Sequence, residues 1–269
     1  MENDYTQRFG GIARLYGIAG AERLRKAHVC VIGVGGVGSW AVEALARSGI
    51  GALTLVDLDE VCVSNVNRQL PALTSEVGKP KVQVLKERVA GINEECRVQL
   101  IEEFFTTSNS AEILSVHFDC VLDGIDEVGN KALMLAECVR RKIPMVSAGG
   151  AGGRRDPTAI RVADLAFTTH DRLLQRVRRV LRADHGFSKD PKVSFGIPCV
   201  YSTELPVFPQ SDGTVCATRG DATELRMNCN SGYGSATFVT GAFGFAASAE
   251  VVRLITTVGA PITASDNRL

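Results

Sequence analysis

The chain holds eight cysteines and no CxxC pair among them. A structural zinc built on two such pairs therefore has no ligand set of the expected spacing. Scattered single cysteines in 269 residues suit a reducing compartment better than a disulfide framework. Net charge is missing too, since 30 Lys and Arg offset 30 Asp and Glu. No global field draws nucleic acid, and any such attraction must be local. The four histidines (His28, His117, His170, His185) form no recognisable catalytic or metal cluster. MENDYTQRFGG at the N-terminus has no apolar h-region, so no signal peptide is expected and the expected location is the cytoplasm. There is no internal repeat or low-complexity tract. With 45% apolar residues the chain can bury a large core, in one domain or two by length alone.

What is present is concentrated between Val29 and Asp57. A short β-branched run, Val29 to Ile32, enters a turn containing Gly33, Gly35, Gly36 and Gly38. An alanine-rich helical pattern follows, then a second strand, Ala52 to Val56, closed by Asp57. This is the order of a nucleotide-binding βαβ unit. Gly33 permits the tight turn, Gly35 lets backbone N–H groups approach a phosphate, and Gly38 allows close helix–strand packing. The helix N-terminus faces the phosphate with its partial positive charge, and Asp57 is placed to accept ribose hydroxyls. The fold class that follows is α/β: a Rossmann-like, mostly parallel sheet with helices on both faces.

NAD, FAD and ATP all fit such a unit. The next residues separate them. VSNVNRQL supplies Asn65 and Arg68, and GKPK supplies Lys81. A triphosphate that must lose pyrophosphate calls for fixed cations on its outer phosphates, a need that Arg68 and Lys81 fit. The bland alternative is a solvated arginine and lysine. A further strand, Asp119 to Asp123, runs into Gly124-Ile125-Asp126. There Asp126 can hold magnesium against phosphates, or simply cap a helix starting near Val128. Together these features favour ATP.

Two later stretches carry weight. From Asp171 to Lys192 apolar residues recur at helical spacing, while Arg172, Arg176, Arg178, Arg179 and Arg182 crowd the remaining faces with only Asp171 and Asp184 beside them. A phosphate-binding strip is the better reading over a solvated face; lacking aromatics, it would position an RNA backbone and read no bases. From Met227 to Ala249 no charge occurs, which is long enough to raise a membrane span. Its asparagines, threonines and glycines favour instead a buried helix from about Ser235, packed through small residues. Gly149, Gly150, Gly152 and Gly153, after a strand Met145–Ser147, suggest close backbone approach to a ligand, against a linker as the alternative. Glu204 and Asp212 are loop carboxylates within reach of a nucleoside, although Asp212-Gly213 also reads as a turn.

The succession GVGGVGSW, LVDLDEV, SNVNRQ, GKPK and VLDGID resembles the adenylating enzymes related to ubiquitin-activating enzyme, which include the sulfur-carrier activators of molybdopterin and thiamine synthesis. The likeness covers about residues 8–150. RFGGIARLYG, SAGGAGG, CVYSTE and PQSDGTVC narrow it to the tRNA threonylcarbamoyladenosine dehydratases. The resemblance implies one adenylating domain over 1–269, with an ATP-binding portion of about 8–150. A substrate portion of about 151–269 would extend the sheet and carry the basic excursion 171–192. It implies adenylation of the threonyl carboxylate on a modified tRNA adenosine, then ring closure with loss of AMP. Asp57 and Asp59 of LVDLDEV would bind the nucleotide, Arg68 and Lys81 its phosphates, and Asn65 would polarise the α-phosphate region. Asp126 would hold magnesium. An N-terminal arginine, Arg8 or Arg14, would reach the partner's site in a homodimer. A cysteine desulfurase or sulfur acceptor is a further partner implied by the resemblance. The missing CxxC pairs depart from the sulfur-carrier activators, and Gly11 stands where their second RYxR-like arginine would be. For a thioester cysteine, Cys199 and Cys229 are the candidates by position, and an inert thiol is the expectation for both. Adenylation of a ubiquitin-like or sulfur-carrier C-terminus stays open as a second reading, and an ATP-sensing module as a third.

Overall fold

A computed structural model describes residues 4–210, 212–217 and 233–257. A long first helix α1 (Asp4–Lys26) leads to β1 (His28–Ile32), α2 (Gly38–Arg47), β2 (Ala52–Val56), α3 (Lys81–Ile92) and β3 (Arg97–Ile101). One short turn of helix, α4 (Ser110–Ile113), precedes β4 (Cys120–Asp123), α5 (Val128–Arg141) and β5 (Met145–Ala148). The rest comprises β6 (Ile160–Asp164), α6 (Arg172–Asp184), β7 (Pro198–Ser202), a small ribbon of β8 (Phe208–Pro209) and β9 (Val215–Cys216), and α7 (Thr237–Thr256).

Seven strands form the main sheet in the order β3-β2-β1-β4-β5-β7-β6. The first six in that order run parallel, and only the edge strand β6 is antiparallel to its neighbour β7. β1, β2 and β4 are short apolar runs buried almost throughout, as a parallel sheet covered on both faces requires. One face is covered by α1, α2, α3 and α7, whose Leu24, Leu45, Leu85 and Phe243 share a core with Val31 and Leu55. The other is covered by α4, α5 and α6 through Ile113, Leu135 and Leu181 over Ile32 and Val121. The C-terminal part does extend the sheet, through β7 and β6.

The uncharged stretch resolves into α7. That helix is long and apolar enough for a membrane span by composition, yet Val239, Phe243, Ala247 and Val251 are fully buried in the core of this chain. Gly244 lets it approach α2: a Cβ there would stand 2.6 Å from Val37 O and 2.7 Å from Trp40 Cβ. Hydrogen bonds from Ser248 Oγ to Ala41 O and from Thr240 Oγ1 to Arg68 O fix the register. The portion of the stretch before residue 233, including Cys229, lies outside the described residues.

Candidate active site

The site is assembled at the carboxyl ends of the parallel strands, where an open α/β sheet places its ligand crevice. Gly33 adopts φ +83°, and its turn presses against the loop leaving β4: a Cβ on Gly124 would lie 2.5 Å from Gly33 O. On Gly38 a Cβ would stand 1.9 Å from the same oxygen, so any side chain there separates helix from strand. No side chain caps the first turn of α2. Its leading N–H groups and the positive end of its dipole are thus left to an incoming phosphate. Arg68 lies over this turn, its Cγ 3.9 Å from a Cβ built on Gly36.

Asp57 leaves the end of β2 and is 8% exposed. Its Oδ2 accepts Val34 N–H at 2.8 Å and its Oδ1 accepts Asp59 N–H at 2.9 Å. Burial pushes its carboxyl above the usual carboxylate range, against those amides and the charge of Lys81. Lys81 opens α3, is 4% exposed, and donates to Asp59 Oδ2 at 2.7 Å. Asp59 is thereby Lys81's partner in this arrangement. An ammonium has three donors, so two remain for phosphate oxygens. Asn65 Oδ1 accepts Cys62 N–H at 3.0 Å, which leaves its NH2 group for a ligand. Arg68 donates to Ser64 O at 2.6 Å, while its own carbonyl receives Trp40 Nε1 at 3.0 Å. Hydrogen bonds thus tie Asp57 to the glycine turn and Lys81 to Asp59, two residues past Asp57, while Arg68 lies against Gly36.

Asp126 stands exposed in the loop leaving β4. It does not cap the next helix. Glu127 does so, accepting Gly129 N–H at 2.9 Å and Asn130 N–H at 2.7 Å, and those amides pull its pKa below the ordinary glutamate value. Asp126 is thus left free, a single carboxylate at the edge of the phosphate turn. Among the described residues no group of three metal-ligating side chains occurs. A hard cation here would take one carboxylate and complete its shell from phosphate oxygens and water, the donor set magnesium prefers.

Several expected residues are placed differently. Arg8 donates to Asp4 Oδ2 at 2.6 Å, to Glu94 Oε1 at 3.3 Å and to Ile92 O at 3.2 Å. These surface contacts hold Arg8 within its own chain, whereas Arg14 is exposed. The basic strip also divides. Arg178 turns inward to Leu165 O and the Thr168 hydroxyl, and Arg182 donates to Ser188 O at 3.1 Å. Arg172, Arg176 and Arg179 remain exposed. Helical phase is the cause, because the face that buries Leu174, Val177 and Leu181 draws the flanking arginines with it. Cys199 is wholly buried, and burial pushes its thiol pKa far up, which removes it as a nucleophile.

Four site residues escaped sequence reading. Lys131 and Asp123, both 0% exposed, pair at 2.6 Å beneath the Asp126 loop. The lysine donates to Ile125 O at 3.0 Å and the carboxylate accepts Ile125 N–H at 3.0 Å. Both polar ends of the residue before Asp126 are therefore clamped. Lys131→Met leaves a buried carboxylate without its cation and is expected to cost about 3–5 kcal/mol. Chemical denaturation measures this, and adding Asp123→Asn should recover much of the loss; an unshifted midpoint in the single variant would refute the pairing energy. Gln69 is buried beside Gly35, its Oε1 without a hydrogen-bond partner, an acceptor suited to a bound donor. Arg154 is the fourth. Only the RQ dipeptide of SNVNRQ hinted at Gln69; nothing in the local sequence marks the burial and pairing of the other three.

Residues 11–268 match the ThiF family. The chain is 52% identical over 254 residues to the tRNA threonylcarbamoyladenosine dehydratase of Escherichia coli (strain K12), covering 94% of this chain and 95% of that one. Against the protein of the same name from Haemophilus influenzae the identity is 51% over 250 residues, covering 93% and 94%. The crystal structure of the E. coli tRNA N6-threonylcarbamoyladenosine dehydratase, TcdA, in complex with ATP superposes with a TM-score of 0.84 at 45% identity, covering 94% of this chain and 96% of the other.

Proposed function

This chain belongs to the ThiF family, and on that premise we propose that it is an ATP-dependent tRNA threonylcarbamoyladenosine dehydratase. The observation that carries the reading is the cationic pair Arg68 and Lys81 behind an uncapped glycine turn, in a chain alike to a named dehydratase over 94% of its length. The glycine turn and α2 take the inner phosphates, Asp57 takes ribose hydroxyls, and Arg68 and Lys81 take the outer phosphates. The threonyl carboxylate attacks the α-phosphorus and pyrophosphate leaves. A nucleophilic atom of the carbamoyl group then closes on the activated carbonyl carbon, and AMP departs with the carboxylate oxygen, so that water is lost in net. Magnesium, held by Asp126, would neutralise charge on the phosphates. Lys131 and Asp123 fix the loop that presents Asp126.

The test is AMP release from ATP with tRNA bearing the modified nucleoside, against tRNA lacking it. AMP formed only with the modified tRNA supports the reading. AMP formed instead with the C-terminus of a ubiquitin-like or sulfur-carrier protein would replace it.

The working form proposed is a cytoplasmic homodimer with one domain per chain. Gly17 breaks α1 with φ 73° and ψ 164°, and Leu15 and Ile18 beside it are 76% and 80% exposed. Such apolar exposure next to Arg14 suits a surface covered by a second copy. Two equivalent composite sites follow from two-fold symmetry. Mixing Arg14→Ala chains with Asp126→Ala chains is then expected to restore up to about a quarter of wild-type activity, because half the dimers carry one intact site. A mixture as inactive as its two components would count against a shared site.

A further inference from the structure

Arg154 follows the glycines after β5 and is 3% exposed. Its Nε donates to Gly150 O at 2.9 Å, its Nη1 to Ser202 O at 3.3 Å and to Glu204 O, and its Nη2 to His170 O at 3.0 Å and Asp171 Oδ2 at 3.5 Å. A guanidinium has five N–H bonds, and here all five have acceptors. Those acceptors come from three separate segments: the loop after β5, the loop after β7, and the entry to α6. Glu204 answers with its own carboxylate, accepting Arg155 N–H and Asp156 N–H at 2.9 Å each. His170, inside this knot, holds a left-handed φ of 55°. A non-glycine residue keeps that conformation only where its surroundings impose it.

Two of these segments, the entry to α6 through His170 and Asp171 and the loop after β7 through Leu205 and Pro206, wall an open cavity of about 210 Å³, which Arg172, Gln175, Arg178 and Phe208 help to line. Its lining is tied to β5 and β7 through Arg154, which joins Gly150, Ser202 and His170. Asp171 is the single acid in its lining, and both its oxygens are engaged, by Leu174 N–H, Gly150 N–H and Arg154. Arg172 stacks over Phe208 at 4.6 Å. Arg178 is half-buried, and its hydrogen bonds go to a carbonyl and a hydroxyl. Neither arginine has a carboxylate partner among the described residues. Asp171, already shared with Arg154, is thus the one acid in a lining that holds two arginines, which leaves the cavity with an excess of positive charge that an incoming anion relieves.

We propose that this cavity receives a backbone phosphate of the tRNA next to the reacting nucleoside, and that Arg154 is the positioning residue that holds its walls. The proposal rests on the dehydratase reading. Arg154 touches no RNA; it sets where Arg172 and His170 stand.

Arg154→Lys keeps the charge but supplies three donors from one nitrogen, so at least two of the five acceptors lose theirs. The KM for modified tRNA is expected to rise about tenfold, with the Kd for ATP within about twofold of wild type and kcat at saturating tRNA less affected than KM. An unchanged tRNA KM overturns the proposal, and so does a parallel loss of ATP affinity, which marks general loosening. Should Arg154→Lys fail to fold, Arg172→Gln at the exposed rim decides. It should weaken tRNA binding and make the log–log salt slope shallower by about 0.7–0.9, one phosphate contact. An unchanged slope overturns the proposal. Wild-type protein that releases no AMP with modified tRNA overturns the dehydratase reading and this proposal together, whereas active wild type with unmoved variants overturns the cavity alone.

Discussion

Replacing Lys81 or Arg68 by alanine is expected to cut turnover by about 100-fold or more, while ATP affinity falls far less. The asymmetry has a geometric source. In the proposed reading the glycine turn and the uncapped start of α2 receive the inner phosphates and Asp57 the ribose, so ground-state binding should survive the loss of one cation. Charge accumulates on the departing pyrophosphate only as the bond breaks, and there a fixed cation in a crevice shielded from water counts most. Lys81 is fixed by burial and by Asp59 at 2.7 Å. Because Asp59 is half-exposed, Lys81→Ala strands no buried carboxylate, and the fold should hold. Single-turnover AMP formation and equilibrium ATP binding, measured on the same preparations, separate the two effects. Near-wild-type turnover in both variants would sink the assignment. Asp59→Asn is a useful companion: it loosens Lys81 without removing it, and should cost less than Lys81→Ala.

The second large effect concerns the two carboxylates at the crevice. Asp126→Asn is expected to lose most activity and to regain part of it at high magnesium, since a neutral amide is a poorer but not absent ligand. Asp57→Asn is expected instead to act mainly through ATP affinity, because an amide accepts from ribose with one oxygen and must also satisfy Val34 and Asp59 N–H. The environments differ as the roles require. Asp57 is nearly enclosed, and its carboxyl is pushed upward by burial; Asp126 is open to solvent. Magnesium titrations of initial rate read the difference. Superimposable curves for Asp126→Asn and wild type would remove the metal role.

The phosphate side of this site was legible because its residues work through short-range spacing. A glycine turn between two apolar runs, an aspartate at the second strand's end and a lysine opening the next helix are all local patterns, and the structure puts β1, α2 and β2 where those patterns place them. What escaped depends on partners distant in sequence. Lys131 sits in GNKALML, where a lysine reads as solvated; it is a buried ion because Asp123, itself held by Ser147 from the next strand, and Ile125 O receive it. Arg154 follows a glycine run that reads as a linker, and its acceptors at His170, Ser202 and Glu204 are brought together by β7 and α6. The helix cap fell to Glu127 although Asp126 is the commoner capping type, because the backbone turns one residue later. The arginine strip kept its helix but lost two members inward, since charge counts along a sequence carry no helical phase until the buried face is known.

One feature of α7 bears on how the protein is made. Thr240 and Ser248 of this helix hydrogen-bond Arg68 O and Ala41 O, and its Phe243 fills the core against β1 and α2. During vectorial synthesis, at about 5–20 residues per second, the nucleotide-binding βαβ unit leaves the ribosome many seconds before α7 does. Until then one apolar face of the nascent sheet stays wet, and the carbonyl of Arg68 lacks one of its two side-chain donors. The last described helix thus completes the core that the first strands begin.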